Sequence, residues 1–209
     1  QRSLPRFTLS PSQQALALLT CLLPVLLGFA LPIALLGYHA LDGLVPRGFA
    51  SAMVNSAGLA LAAAFLTCVA GLFLAYGARS DKGRFMRYLA QASALGYAVP
   101  GTVLAIGVML VLARLGDMSG GGLILSGTVF ALLFAYVVRF LSLAYGTLEA
   151  GFGRVSPAMD MAARSLGAAR RDTLMRVHIP LIRAPLISAA LLVFVDVMKE
   201  LPITLMTRP

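Results

Sequence analysis

Residues 154–183 read RVSPAMDMAARSLGAARRDTLMRVHIPLIR, and this basic segment lies between two long apolar runs. It contains six arginines, whereas the runs before and after it, 123–145 and 184–206, consist mostly of aliphatic and small residues. Each run meets the requirement of about 20 apolar residues for a helix that crosses a membrane. A basic connector between two such runs predicts a polytopic helical membrane protein.

The composition of the whole chain supports this prediction. The sequence is 59% hydrophobic and 12% charged, and its mean hydropathy is +0.89. Ordinary soluble domains are about one quarter charged, so the chain departs strongly toward the membrane class. We therefore expect an all-α, polytopic transmembrane helical bundle with five visible spans, at residues 15–38, 52–78, 88–113, 123–145 and 184–206.

The distribution of Lys and Arg predicts how the spans are oriented. The N-terminal segment and the four connectors 39–51, 79–87, 114–122 and 146–183 carry 2, 1, 4, 1 and 6 basic residues in that order. Because basic connectors stay on the cytoplasmic side, the N-terminus, 79–87 and 146–183 are expected inside. The net charge of +9 is thus explained by topology, and no nucleic-acid partner is expected.

Local signals predict two short helices inside the basic connector. Ser156 suits an N-cap and Pro157 the first helical position, while Asp160 places a negative charge in the first turn. Gly167 is expected to end this helix in a positive-φ conformation.

A second helix is expected over 169–177, closed by Ile179 and Pro180. Such a pair of helices presents small residues on one face and a basic rim. An alternative is an amphipathic loop that lies on anionic membrane lipid.

The spacing in this connector resembles the coupling loop of type I binding-protein-dependent ABC importer permeases, E-A-A-x3-G-x9-I-x-L-P. We call residues 154–180 the coupling loop. The main departure is Met161, which stands where the family has Glu, and neighbouring Asp160 points about 100° away around the helix. The matching residues are Ala162, Ala163, Gly167, Val177, Ile179 and Pro180.

Three further stretches, 23–29, 154–157 and 198–205, are similar to the second half of ferric-iron importer permeases. The resemblance implies a MetI-like fold, location in the inner membrane, and ferric iron as cargo delivered by a periplasmic binding protein. It also implies an ABC ATPase dimer on the coupling loop and a second permease half, fused or separate. ATP and Mg²⁺ would bind that ATPase, and this chain would hold no cofactor and catalyse no reaction. Thiamine, sulfate or a polyamine are alternative cargoes.

Charged residues in the last apolar run point to a transport pathway or gate. Asp196, Lys199 and Glu200 precede Pro202, which is expected to interrupt the helix. Asp196 and Lys199 are three residues apart and can pair. The alternative is that these charges lie at the outer interface. Arg139, in the fourth run, is expected to extend to the cytoplasmic surface.

Other function classes receive little support from the sequence. His39 and His178 have no partner at metal-ligand spacing, and Cys21 and Cys68 are interpreted as small buried apolar side chains. No P-loop or zinc-protease motif is present. An ion-coupled secondary transporter would need inverted repeats, which are not visible. A membrane enzyme would need a nucleophile–base pair or paired carboxylates, and none is found.

The expected domain organisation is simple. Residues 1–14 form a cytoplasmic N-terminal segment, and residues 15–209 form the permease domain, with the connector 146–183 on the cytoplasmic side. The chain starts with Gln1 and stops directly after an apolar run. We therefore expect a fragment of a longer permease.

Overall fold

The structure is a computed structural model that describes residues 9–41, 48–80, 84–118 and 127–207, and all regular elements within these ranges are helical. In chain order the helices are α1 (Pro11–Leu41), α2 (Phe49–Ser80), α3 (Arg84–Ala98), α4 (Gly101–Met118), α5 (Val129–Phe152), α6 (Pro157–Ser165), α7 (Arg170–Leu181), α8 (Arg183–Met198) and α9 (Leu201–Thr207).

Four of the described helices, α1, α2, α4 and α5, are long and apolar enough to cross a membrane. The pair α7 and α8 adds a fifth span if the two helices, which bend by 76°, are counted together. The expected all-α polytopic bundle is therefore confirmed. Several charges behind the topology prediction, among them Arg47, Lys82 and those of residues 1–8, lie outside the described residues.

Helix α1 belongs to a unit of its own, Gln1–Ala52. Ser10 caps it through a capping box: the Ser10 hydroxyl accepts from Gln13 N at 3.5 Å, and Gln13 Oε1 accepts from Ser10 N at 3.0 Å. Pro24 lies inside the helix, and a π-helical turn at Leu26–Ala30 follows it. Such a turn is one way to accommodate a proline, whose ring and missing N–H disrupt regular α-helical bonding.

Helix α5 is central in the second unit, Met53–Pro209, where it contacts α3, α4, α8 and α9. Helix α2 contributes a buried face of small residues. Small side chains on that face allow neighbouring helices to approach closely. The face consists of Ala60, Ala63, Ala64, Thr67, Cys68, Gly71 and Ala75.

Two of the expected spans are broken rather than continuous. The single helix expected over 88–113 is instead α3 and α4, separated at Val99 and Pro100. The reason is local, because the residue before a proline is driven out of the α conformation. The last span is also divided, with a break at Lys199 and Glu200 between α8 and α9. An interruption here agrees with the expectation from Pro202, which is the second residue of α9.

The buried side chains form two clusters in the described residues. The larger one surrounds α5 and includes Tyr136, Phe140 and Val193. The smaller one joins α2 and α5 to the coupling loop and α8, through Cys68, Ala75, Leu148, Phe152, Val155, Leu174, Ile182 and Ala189. The coupling loop is thus packed on the bundle through an apolar floor.

Candidate functional site

The first helix of the coupling loop begins as predicted. Pro157 is the first residue of α6, and the Ala158 N–H donates to Ser156 Oγ at 3.3 Å. Asp160 lies in the first turn. The cap satisfies a backbone donor that the helix itself leaves without a partner.

Gly167 ends α6 in the predicted conformation, with φ of +78°. The Ala168 N–H donates to the Ala163 carbonyl at 3.0 Å, and this is the long-range bond of a Schellman motif. The bond requires positive φ at position 167, which glycine adopts at little cost. The turn sets the direction in which α7 leaves α6.

Helix α7 is longer than predicted. The expected helix over 169–177 was to close at Ile179 and Pro180, but α7 runs from Arg170 to Leu181. A π-helical turn at Leu174–His178 ends two residues before Pro180. This wide turn accommodates the proline without ending the helix, and the chain bends instead at Ile182.

Arg79, in the last turn of α2, is hydrogen-bonded to the coupling loop region. Its Nη1 donates to the Phe152 carbonyl at 2.8 Å, and its Nη2 donates to the Val155 carbonyl at 3.0 Å. Nε and Nη2 also donate to Oδ2 of Asp160, at 3.1 and 2.8 Å. One guanidinium therefore contacts the end of α5, the turn after it and the first turn of α6.

Asp160 is held from its other side by His178. The His178 Nε2 lies 2.5 Å from Asp160 Oδ1, and the histidine is 1% exposed. Its ring packs edge-on against Tyr76 and Phe152, with centroids 5.6 and 5.5 Å apart. Burial alone would raise the pKa of Asp160, but the hydrogen bonds from His178 and Arg79 outweigh it, so the pKa is lower than usual.

Sequence reasoning placed Asp160 correctly in the first turn but missed its partners. It also missed His178, whose partner lies 18 residues upstream, and it counted Arg79 only as a topology charge. Within the described residues, no group of three or more His, Cys, Asp or Glu is placed to hold a metal ion. The signal available in advance was the Asp160 carboxyl itself, which lies in the first turn of α6.

Four large apolar side chains of the coupling loop are exposed, and exposed basic residues lie close by in the sequence. Leu166 is 88% exposed, Met161 63%, Met175 53% and Met159 43%. Met161 thus points outward while Asp160 is engaged inward. The predicted loop residues Ser156, Pro157, Ala162, Gly167 and Pro180 are exposed, Val177 and Ile179 are half-buried, and Ala163 is buried.

A second set of charges lies at the break between α8 and α9. Asp196 and Lys199 form the predicted pair at 2.6 Å, with Lys199 side chain 69% exposed and Asp196 13%. Glu200 pairs with Arg139 of α5 at 3.3 Å, and both side chains are mostly buried. Pro202 is exposed in the first turn of α9.

The expectation that Arg139 extends to the surface is therefore wrong. Its Nη1 donates to the Val99 carbonyl at 2.7 Å, an acceptor freed by the break between α3 and α4. The Glu200 carboxylate and the Val99 carbonyl give the buried guanidinium the partners that water would give it at the surface. Arg139 thereby connects the two helix breaks.

Further polar contacts surround this ion pair. Thr204 donates to the Glu200 carbonyl and is hydrogen-bonded to the Tyr136 hydroxyl, at 2.5 and 2.6 Å. Gly101, the first residue of α4, allows the carboxylate to approach, since a Cβ there would lie 2.5 Å from Glu200 Oε1. A carboxylate near a helix N-terminus is favoured by the helix dipole.

Residues 67–207 match the model of the family described as binding-protein-dependent transport system inner membrane component. The chain therefore belongs to this family and is a multi-pass permease component of an ABC importer in the inner membrane. Members of the family work with an ATPase and a substrate-binding protein.

Two kinds of relative are similar to this chain. The putative 2-aminoethylphosphonate transport system permease protein PhnV of Salmonella paratyphi A is 24% identical over 96% of this chain and 80% of its own length. The putative ferric transport system permease protein FbpB 1 of Haemophilus influenzae is 30% identical over 78% of this chain but 24% of its own length. A second Haemophilus influenzae protein, Fe(3+)-transport system permease protein FbpB 2, is 27% identical over 87% of this chain and 36% of its own length.

Proposed function

We propose that this chain forms part of the translocation path of an importer for ferric iron, with its coupling loop docked on an ABC ATPase dimer. The exposed apolar face of that loop, formed by Met161, Leu166 and their neighbours, carries the docking proposal. Closure of the ATPase dimer would displace the loop and rock the bundle between outward- and inward-facing states. ATP and Mg²⁺ bind the ATPase, and this chain catalyses no reaction and holds no cofactor.

The chemistry of the loop defines the partner surface. Where the family has Glu, this chain presents Met161, and Asp160 is already engaged by Arg79 and His178. The ATPase cleft that receives the loop therefore offers an apolar floor. The exposed arginines of α7, such as Arg170 and Arg171, favour acidic residues at the rim of that cleft.

Substitution of the most exposed apolar residue tests the docking proposal. Leu166→Asp should lower ATPase association by about tenfold or more, because a charge buried in an apolar cleft is costly. The measurement is co-purification of the ATPase with the complete permease. The matched control is Leu41→Asp, at an equally exposed leucine at the end of α1 (89%), which should leave association unchanged. Equal association in both variants would contradict docking through this face.

Ferric iron is proposed as the cargo because of the similarity to the ferric permeases and the K-E-L-P-x-T stretch at 199–204. Release of the ion would follow a path near Asp196, Lys199, Glu200 and Pro202. The relative PhnV favours 2-aminoethylphosphonate as the second candidate. The binding protein and the second permease half, fused or separate, complete the assembly, which is surrounded by membrane lipid.

A transport assay distinguishes the two cargoes. The complete importer, reconstituted with its own ATPase and binding protein, should take up radiolabelled ferric iron only when ATP is supplied to the ATPase side. Unlabelled 2-aminoethylphosphonate should not compete. Uptake of labelled 2-aminoethylphosphonate without any uptake of iron would overturn the iron assignment and support the second candidate.

A further inference from the structure

The coupling loop is connected to the bundle through two turns in the backbone. Residues 153–156 separate α5 from α6, and residues 166–169 separate α6 from α7. Each turn contains a glycine, and neither is regular helix. If only the backbone held α6 in place, a partner that displaced α6 would rotate it about both turns. The rest of the bundle would then not move with it.

Side chains bridge both turns. Arg79 binds the carbonyls of Phe152, at the end of α5, and of Val155, in the first turn. It also binds the carboxylate of Asp160, which lies after that turn in α6. The Asp160 carboxylate then contacts His178 across the second turn. A continuous chain of charge-assisted hydrogen bonds thus runs from the end of α2, through α6, to α7.

The bridge is sheltered from water, so its bonds are worth more than those of a surface pair. The Arg79 and Asp160 side chains are 16% and 27% exposed, and His178 is buried between two aromatic rings. By contrast, the pair of Asp172 and Arg176 on α7 is 3.9 Å long and largely exposed. Two guanidinium donors on Oδ2 and His178 on Oδ1 together fix the orientation of the Asp160 carboxylate as well as its distance.

We propose that Arg79, Asp160 and His178 are positioning residues that make the coupling loop and the adjoining ends of α2 and α5 move as one rigid unit. This inference rests on the proposed docking of the ATPase. Displacement of the loop is then transmitted to α2 and α5 rather than lost at the two turns. The residues touch neither cargo nor ATP, and they act through the position of α6.

The test measures transport per ATP hydrolysed by the complete importer in proteoliposomes. Arg79→Gln should retain ATPase association and ATP hydrolysis but lower transport per ATP by roughly tenfold, within the usual range of allosteric coupling. Asp160→Asn should have a similar effect. The matched control Arg114→Gln, which removes an exposed arginine of α4 outside the coupling loop, should leave transport per ATP unchanged.

Covalent rescue separates coupling from simple destabilisation. In a background without Cys21 and Cys68, the pair Arg79→Cys and Asp160→Cys should be uncoupled, and a short bifunctional thiol reagent should restore transport per ATP. Loss of transport and hydrolysis in equal proportion, or failure of rescue after cross-linking is verified, would overturn the proposal.

Failure of the underlying docking proposal gives a different result. In that case Leu166→Asp would co-purify the ATPase as well as the unsubstituted permease does, or the unsubstituted permease itself would not co-purify with it. If instead docking is intact and Arg79→Gln alone loses association, the three residues shape the docking face and do not transmit motion, and the inference is wrong.

Discussion

Replacing Arg139 with Met is expected to destabilise the permease strongly, by about 3–5 kcal/mol, because it leaves a buried carboxylate without its partner. The Arg139 and Glu200 side chains are 17% and 11% exposed. The substitution also removes the donor to the Val99 carbonyl, which is freed at the break between α3 and α4. The measurement is the thermal unfolding of the purified protein together with the amount inserted in the membrane.

A double-mutant cycle tests whether the pair, and not either charge alone, is responsible. Arg139→Met combined with Glu200→Gln should be more stable than Arg139→Met, because no orphan charge remains. Arg176→Met is the control: Arg176 pairs with Asp172, but the two side chains are 83% and 51% exposed, so the effect on stability should be small. If the two substitutions change the stability by strictly additive amounts, direct pairing of Arg139 with Glu200 is contradicted.

The sequence predicted those parts of the fold that depend on local chemistry. The length of the apolar runs predicted the helical membrane bundle. Ser156 and Pro157 predicted the start of α6, and Gly167 predicted its end. These features follow from neighbours within a few residues, namely cap acceptors and backbone conformations. The break at Val99 had a local signal in Pro100, but the expected span ran across it because residues 88–113 contain no charged side chain.

The contacts that organise the two sites could not be predicted from the sequence, and the reason is physical. Arg79 and Asp160 are 81 residues apart, and their pairing depends on how α2 packs against α5. The partner of Glu200 is on α5, whereas spacing along one helix suggested only the neighbouring charges Asp196 and Lys199. Periodicity predicts which side of a helix is buried, but it does not identify the residues of another helix that contact that side.

Gly167→Val is expected to lower ATPase association and transport by roughly tenfold while membrane insertion stays normal. A side chain at φ of +78° costs about 1–2 kcal/mol, and a β-branched side chain is among the least tolerated there. No atom lies within 4 Å of the Cβ position, so the cost comes from the backbone and not from a clash. Insertion should be unaffected because Gly167 is exposed and outside both apolar clusters.

Gly167→Asn separates backbone strain from obstruction of the docking face. Asparagine is larger than alanine but enters the left-handed region more easily than most residues, so this variant should keep most of its association and transport. Co-purification of the ATPase and uptake by the complete importer are measured for both variants. If Asn is as harmful as Val, the added side chain blocks the ATPase directly. If Val transports at the wild-type rate, the turn between α6 and α7 does not set the docking geometry, and the coupling role of the loop loses its main support.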